Sequence, residues 1–319
     1  MSNDRLPLRE VDRVEILVLI DNYVDLLLEN TDIVTRPPRA EKYEIPSDTL
    51  LAEHGLSLLI TVYQKENRRS ILFDTGYSQI GVLHNMERLG INLKEIEAIV
   101  ISHGHMDHTG ALNSILDKAP RPLTLVVHPG GFLHPRYFSL DDGTRLLFPQ
   151  TLVRTELESR KVEIIETKTP KLIVDNMVLV TGQVERTTEF EKGLQNAVVE
   201  INGKPEKDTI PDDQALVIHL RDKGMVVISG CSHAGIVNTI LFAQKVSGLE
   251  KLHAVLGGFH LSGPAFEPVI EKTIEVLIKM APRVIVPMHC TGWNAIRRFS
   301  QAFPSSFILN SVGSKFTFS

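Results

Sequence analysis

Ten short apolar runs, rich in Val, Ile and Leu, recur along this chain of 319 residues and set most of what it can fold into. They fall at about 14–20, 56–64, 70–74, 98–102, 123–128, 172–181, 214–220, 225–229, 253–256 and 283–287, and each has the length of a strand. Segments whose apolar residues return every three to four positions, at 79–89, 110–118, 235–247, 267–280 and 294–302, read as helices between many of them. Two sheets covered by outer helices would bury these runs, which is a layered α/β arrangement. No strong internal repeat is visible. The chain is read as one domain over 1–319, with long loops or insertions at about 21–47, which holds Arg36-Pro37-Pro38-Arg39, and at about 129–150. Loops of that length in a compact domain tend to be functional, so both are expected to wall a substrate site.

Composition narrows the class. Hydrophobic content of 43% and charged content of 23% are ordinary for a soluble globular protein, and the net charge of −5 gives no general attraction to nucleic acid. Near the N-terminus, Ile16-Leu17-Val18-Leu19-Ile20 is bracketed by Glu15 and Asp21 and is far too short to span a membrane. No small-residue cleavage site follows it, so a cytoplasmic location is expected. The two cysteines, Cys231 and Cys290, fit a reducing compartment and each lies within two residues of a histidine, which makes a structural disulfide the weaker reading.

The densest chemistry is His103-Gly104-His105-Met106-Asp107-His108, which holds three of only twelve histidines and points to metal rather than a histidine-rich surface loop. It follows the apolar run Ala98-Ile99-Val100-Ile101-Ser102 and precedes a helical pattern, so it sits at a strand-to-helix junction. In extended backbone, residues i and i+2 point the same way, and His103 and His105 can share one ion while Gly104 lets the backbone come close. As the chain turns, Asp107 and His108 swing to a second position suited to a second ion. Imidazole suits zinc, iron and nickel, and a carboxylate extends the choice to manganese, so two divalent ions are expected with zinc as the default.

This His-x-His-x-Asp-His pattern resembles the signature of the metallo-β-lactamase superfamily, and Phe73-Asp74-Thr75-Gly76 is similar to its aspartate-bearing turn. Ala52-Glu53-His54-Gly55-Leu56-Ser57, Ser229-Gly230-Cys231-Ser232-His233-Ala234-Gly235, Gly257-Gly258-Phe259-His260-Leu261 and Pro287-Met288-His289-Cys290-Thr291-Gly292 resemble its dihydropterin synthase-like branch. The likeness runs from about Leu50 to Gly313. It implies a four-layer αβ/βα sandwich with the metal site at one rim of the strands.

The remaining ligand candidates are weighed by position. His289 ends a strand-like run and matches the superfamily's last ligand, which sits with Asp107 and His108. The resemblance also implies an aspartate near Cys231 and a histidine upstream, but Thr181-Gly182-Gln183-Val184-Glu185-Arg186 has none. His233, in a strand-turn-helix context, is taken as the substitute that joins His103 and His105. Cys231 reads as a small buried residue before a thiolate ligand. Asp74 is expected to orient a ligand histidine through its second ring nitrogen. His260 is a candidate substrate-facing acid and His54 a weaker one, while Arg186 and the Gly257-Gly258 turn are candidate phosphate contacts. His128, His219 and His253 are left as structural.

Such a site would act as a hydrolase. One zinc alone can bring a water pKa from 15.7 to about 7, roughly 12 kcal/mol, giving a metal-bound hydroxide with Asp107 and His260 as catalytic groups. Phosphoesters or phosphodiesters are the expected small-molecule substrates, with lactones or other acyl compounds next. The branch name implies a synthase instead, acting on a phosphorylated ribose. Thiolate catalysis by Cys231 with His233 would leave residues 103–108 unexplained, and a non-catalytic metal protein fits poorly because structural zinc sites are usually closed.

Overall fold

A computed structural model describes residues 6–40, 42–120, 122–160 and 162–319. Among them lie two large sheets. The first runs, in spatial order, Glu163–Glu166, Thr124–Val127, Ile96–Val100, Asn67–Phe73, Ser57–Gln64, Arg13–Ile20, Lys315–Phe318 and Val34–Thr35. The second runs Lys171–Ile173, Val178–Val180, Ala215–Leu220, Gly224–Ser229, Leu252–Gly258 and Val284–Met288, with Glu10–Val11 added alongside Ala215–Leu220.

The apolar runs are continuous because these strands are buried on both faces. Along Arg13–Ile20, Val14, Ile16 and Val18 enter the core between the sheets, whereas Leu19 packs beneath the outer helices. In the second sheet, Leu216, Ile218 and Leu220 face inward and Val217 faces out. Helices Gly81–Arg88, Leu112–Lys118 and Arg154–Ser159 cover the first sheet; Ile236–Ser247, Glu267–Met280 and Trp293–Ala302 cover the second. In Glu267–Met280 the buried set Ile270, Thr273, Ile274 and Leu277 has the spacing of one helical face. The result is the four-layer αβ/βα sandwich.

Two expectations need correction. The run at 172–181 is not one strand but a hairpin, because Val174, Asp175 and Asn176 all take positive φ and turn the chain between Lys171–Ile173 and Val178–Val180. The segment at 129–150 is not all loop: Arg136–Ser139 and Arg145–Leu147 join Ala197–Ile201 and Lys204–Lys207 in a four-stranded antiparallel sheet. The segment at 21–47 is mostly irregular apart from Val34–Thr35, and residue 41 within it lies outside the described residues.

The first sheet has four adjacent parallel strands and the second has three, and three strands of each leave their C-terminal ends toward one rim. Asn67–Phe73, Ile96–Val100 and Thr124–Val127 do so in the first sheet, and Gly224–Ser229, Leu252–Gly258 and Val284–Met288 in the second. The rims meet at Gly230, where a Cβ would stand 2.0 Å from Ser102 Oγ. Only glycine allows that approach.

Candidate metal centre

Every histidine singled out as a ligand lies just past one of these strand ends. His103 and His105 follow Ile96–Val100, and Asp107 and His108 occupy the short helix Met106–Thr109. His233 follows Gly224–Ser229, and His289 follows Val284–Met288. Four residues on this rim that are not glycine take positive φ: Asp74, Ser232, His260 and His289. Strained backbone of this kind persists only where surrounding structure fixes it and clusters at functional sites.

The side chains converge in two groups. In the first, His103 Nε2 lies 3.0 Å from His105 Nδ1 and 3.2 Å from His233 Nε2. In the second, Asp107, His108, Cys231 and His289 gather, with Asp107 Oδ2 3.3 Å from His289 Nε2 and Cys231 Sγ 3.2 Å from His108 Nε2. Within each group one ligand atom per residue lies within 4.8 Å of the others. All seven residues are buried.

This donor set fits divalent cations. Burial, followed by the neighbouring histidines, pushes His103 well down in pKa; burial and then Arg136 bring His105 to about 4, and burial and then His260 push His233 well down. These rings are therefore neutral, and a neutral imidazole has one N–H and one lone pair. His103 Nε2 faces two ring nitrogens at 3.0 and 3.2 Å but has a single N–H or lone pair to offer, a conflict that a cation would relieve. In the second group, His289 Nε2 is buried and faces Asp107 Oδ2 at 3.3 Å without the alignment of a hydrogen bond. Burial works against a proton on His108, yet Asp74 and Asp107 outweigh it and lift this ring to about 9, so a cation would have to displace that proton.

Asp74 lies below the second group. Its Oδ1 accepts from Ser102 N–H at 2.7 Å, and its Oδ2 meets Ser102 Oγ and His108 Nδ1, each at 2.7 Å. This fixes the His108 ring with Nε2 toward Asp107 and Cys231. His289 is held through its own N–H to Asp21 Oδ1 at 2.8 Å, with Nδ1 3.3 Å from Asn22 Oδ1. His54 stands at the exposed edge, Nε2 3.7 Å from Asp107 Oδ2.

A cavity of about 610 Å³ opens on His233 and His260, walled by Phe138, Phe190, Leu194 and Phe266. The His260 ring lies 4.3 Å from that of His233 and 4.9 Å from Phe266, so it links cavity and cluster. Phe138 comes from the segment at 129–150, as does Phe148, which stacks on His105 at 4.8 Å. Arg186 adjoins this cavity, since a Cβ on its lining residue Gly193 would meet Arg186 Nη1 at 2.5 Å. It lines a smaller cavity with Asp213 and Ala234 and donates to Thr209 O at 2.8 Å. The Gly257-Gly258 turn offers no open anion cradle, because Gly258 N–H is taken by Gly230 O and Phe259 N–H by Thr291 Oγ1. Cys231 and Cys290 are both free and buried. His128 Nδ1 accepts from Gly130 N–H, a local cap.

Comparison with known proteins agrees with this geometry. Residues 53–194 match the family model of the metallo-β-lactamase superfamily. Over 278 residues, 84% of this chain and 91% of the relative, the chain is 33% identical to 7,8-dihydropterin-6-methyl-4-(β-D-ribofuranosyl)-aminobenzene-5'-phosphate synthase of Methanocaldococcus jannaschii. The chain belongs to the metallo-β-lactamase superfamily, in the branch of that synthase. An uncharacterised protein of the same organism is 32% identical over 82% of this chain and 92% of its own. The crystal structure of a metal-dependent hydrolase of the β-lactamase superfamily shares the fold, with a TM-score of 0.72 and 24% identity over 96% of this chain and 98% of its own. This superfamily typically binds divalent metals, in keeping with the two clusters on the rim. Among the described residues no helix is long and apolar enough to cross a membrane.

Residues that sequence reasoning missed lie behind the ligands. Asp212 accepts from Gly104 N–H at 2.7 Å, and Asp213 accepts from Ala234 N–H at 2.8 Å. The one signal available was Pro211-Asp212-Asp213-Gln214, two acids directly before an apolar run.

Proposed function

We propose that this member of the superfamily is a binuclear metal-dependent hydrolase of small phosphorylated substrates, phosphoesters or phosphodiesters first among them. The observation that supports this best is that one hexapeptide feeds two adjacent ligand groups, His103, His105 and His233 on one side and Asp107, His108 and His289 on the other. Cys231 lies within reach of the second. Zinc suits this mixture of imidazole and carboxylate, with iron or manganese as alternatives. Ions held there would supply Lewis acidity, for activating water and offsetting charge at an attacked phosphorus or acyl centre.

The residues of the chain provide the rest. Asp74 and Ser102 hold the His108 ring in one orientation, and Asp21 and Asn22 do the same for His289. His260, between cavity and cluster, is assigned the proton delivered to the leaving group. The phenylalanine walls take the apolar part of a substrate and keep water from it. In this reading the sheets act as one domain over 1–319, and the segments at 21–47 and 129–150 wall the site.

A second reading is the synthase itself, favoured by 33% identity across 84% of the chain. Metal content of the purified protein, followed by turnover of chromogenic phosphodiesters, phosphomonoesters and lactones before and after chelation, separates the possibilities. Chelator-sensitive phosphoester cleavage is expected. A folded protein without metal would sink the proposal, and lactone turnover alone would move it to acyl hydrolysis. Product from dihydropterin pyrophosphate and a ribosylated aminobenzoate phosphate would establish the synthase. For the ligands, His233→Ala is expected to lose the ion shared with His103 and His105, and Asp107→Ala the other. Two ions and full activity in His233→Ala would remove His233 from the site.

A further inference from the structure

The turn at 208–214 touches both loops that carry the three-histidine group, and it does so with buried charge. Asp212 is fully buried. Its Oδ2 accepts from the N–H of Gly104, the residue between His103 and His105, at 2.7 Å. Gly104 packs closely against the facing backbone, where a Cβ would lie 2.2 Å from Gly131 O. The adjacent Asp213 reaches the other loop, its Oδ2 accepting from the N–H of Ala234, the residue after His233, at 2.8 Å. Gln214 completes the link to the first loop: its N–H donates to Ser102 O at 3.0 Å and its Nε2 to Ile101 O at 2.7 Å.

The turn is itself anchored. Arg136 forms an ion pair with Asp208 at 2.9 Å, donates from Nη1 to Asp212 Oδ2 at 3.1 Å and from Nη2 to Asp212 Oδ1, and also reaches Gly130 O. Arg136, Asp208, Asp212 and Asp213 are all at most 3% exposed. A buried ionic set of this kind is poor evidence of added stability, since desolvation offsets most of the attraction. What it does supply is fixed geometry. Consecutive carboxylates grip the backbone of two loops from different sheets, and the distance between those loops sets the distance between His233 and the His103–His105 pair.

We propose that Asp212 and Asp213, held by Arg136 and Asp208, are positioning residues that set the spacing of His103, His105 and His233 and so the affinity of that group for its ion. This rests on the reading of the three histidines as ligands. Partners of this kind typically change metal affinity by 10- to 100-fold when removed.

The test uses the full-length protein loaded with Zn²⁺ or Co²⁺, with affinity read by competition against a chromophoric chelator and geometry by the visible spectrum of the cobalt form. Asp213→Ala is expected to weaken one of two ions at least tenfold and to alter the spectrum. Asp213→Asn keeps a side-chain oxygen for Ala234 N–H and is expected to restore most of both. Asp212→Asn is expected to act on the same ion; where loss of its charge beside Arg136 prevents folding, the Asp213 pair carries the test. Wild-type affinity for both ions and an unchanged cobalt spectrum in folded Asp213→Ala would overturn the positioning role alone. A wild-type protein that binds no ion would overturn the ligand reading and this role with it.

Discussion

Asp74 takes no solvent exposure at all, yet its two oxygens meet three groups: Ser102 N–H, Ser102 Oγ and His108 Nδ1, each at 2.7 Å. A neutral amide in its place can accept at one atom only and presents N–H to a partner that already donates. Asp74→Asn is therefore expected to weaken the ion held with Asp107 by about 10- to 100-fold, measured by chelator competition, while the ion of the three-histidine group is kept. Equal loss of both ions would mean that the substitution disturbs the whole rim. Asp74 was legible in sequence because it stands in a recognisable turn, Phe73-Asp74-Thr75-Gly76, at a strand end. Asp212 and Asp213 left only two adjacent acids before an apolar run, since the backbone N–H groups they accept from lie 108 and 21 residues away. Arg186, read in the sequence as a phosphate contact, lines a smaller cavity with Asp213 and Ala234 and donates to Thr209 O at 2.8 Å.

Among the elements, the helix Ile236–Ser247 carries the clearest long-range dependence. Its first residues have no cap from their own sequence, and Gly235 precedes them at φ 102. Glu191, from a distant loop, accepts from Val237 N–H and Asn238 N–H at 2.8 Å each, and from Thr188 Oγ at 3.1 Å. Burial outweighs these hydrogen bonds and raises the Glu191 carboxyl from 4.5 to about 7. A pKa raised on folding favours the protonated native state, so this contribution is full below about 4.5 and is lost as pH rises through about 7. Relative to Glu191→Gln, wild-type stability is expected to fall across that window, which urea midpoints of both chelated proteins would show. Parallel curves would mean that Glu191 does not titrate there. The helix itself was legible, over 235–247, from its apolar period; the cap was not, because it comes from another part of the chain. The hairpin within 172–181 was missed for a related reason. Both arms are apolar, and only the Asp175-Asn176 turn between them breaks the run.

On the scale of the whole molecule, the two ligand groups tie the sheets together, since His103, His105, Asp107 and His108 come from one and His233 and His289 from the other. Ions bound there favour the folded chain by mass action, about 2.7 kcal/mol for each at a free concentration 100 times its Kd. Chelation is expected to lower the thermal midpoint, and zinc to restore it. A midpoint indifferent to both would mean that no ion binds selectively to the native state.

The sequence by itself determined a layered α/β arrangement and the position of residues 103–108 at a strand-to-helix junction. Both rest on local pattern: strands buried on two faces must be apolar throughout, and metal-binding side chains must be dense where a short loop carries them. Tertiary structure alone decided that the segment at 129–150 builds a small sheet and a cavity wall, and that Asp212 and Asp213 reach the two loops that carry the three histidines. Each of these is set by how two sheets pack across a shared core, and the packing of distant segments has no period or spacing that a single chain displays.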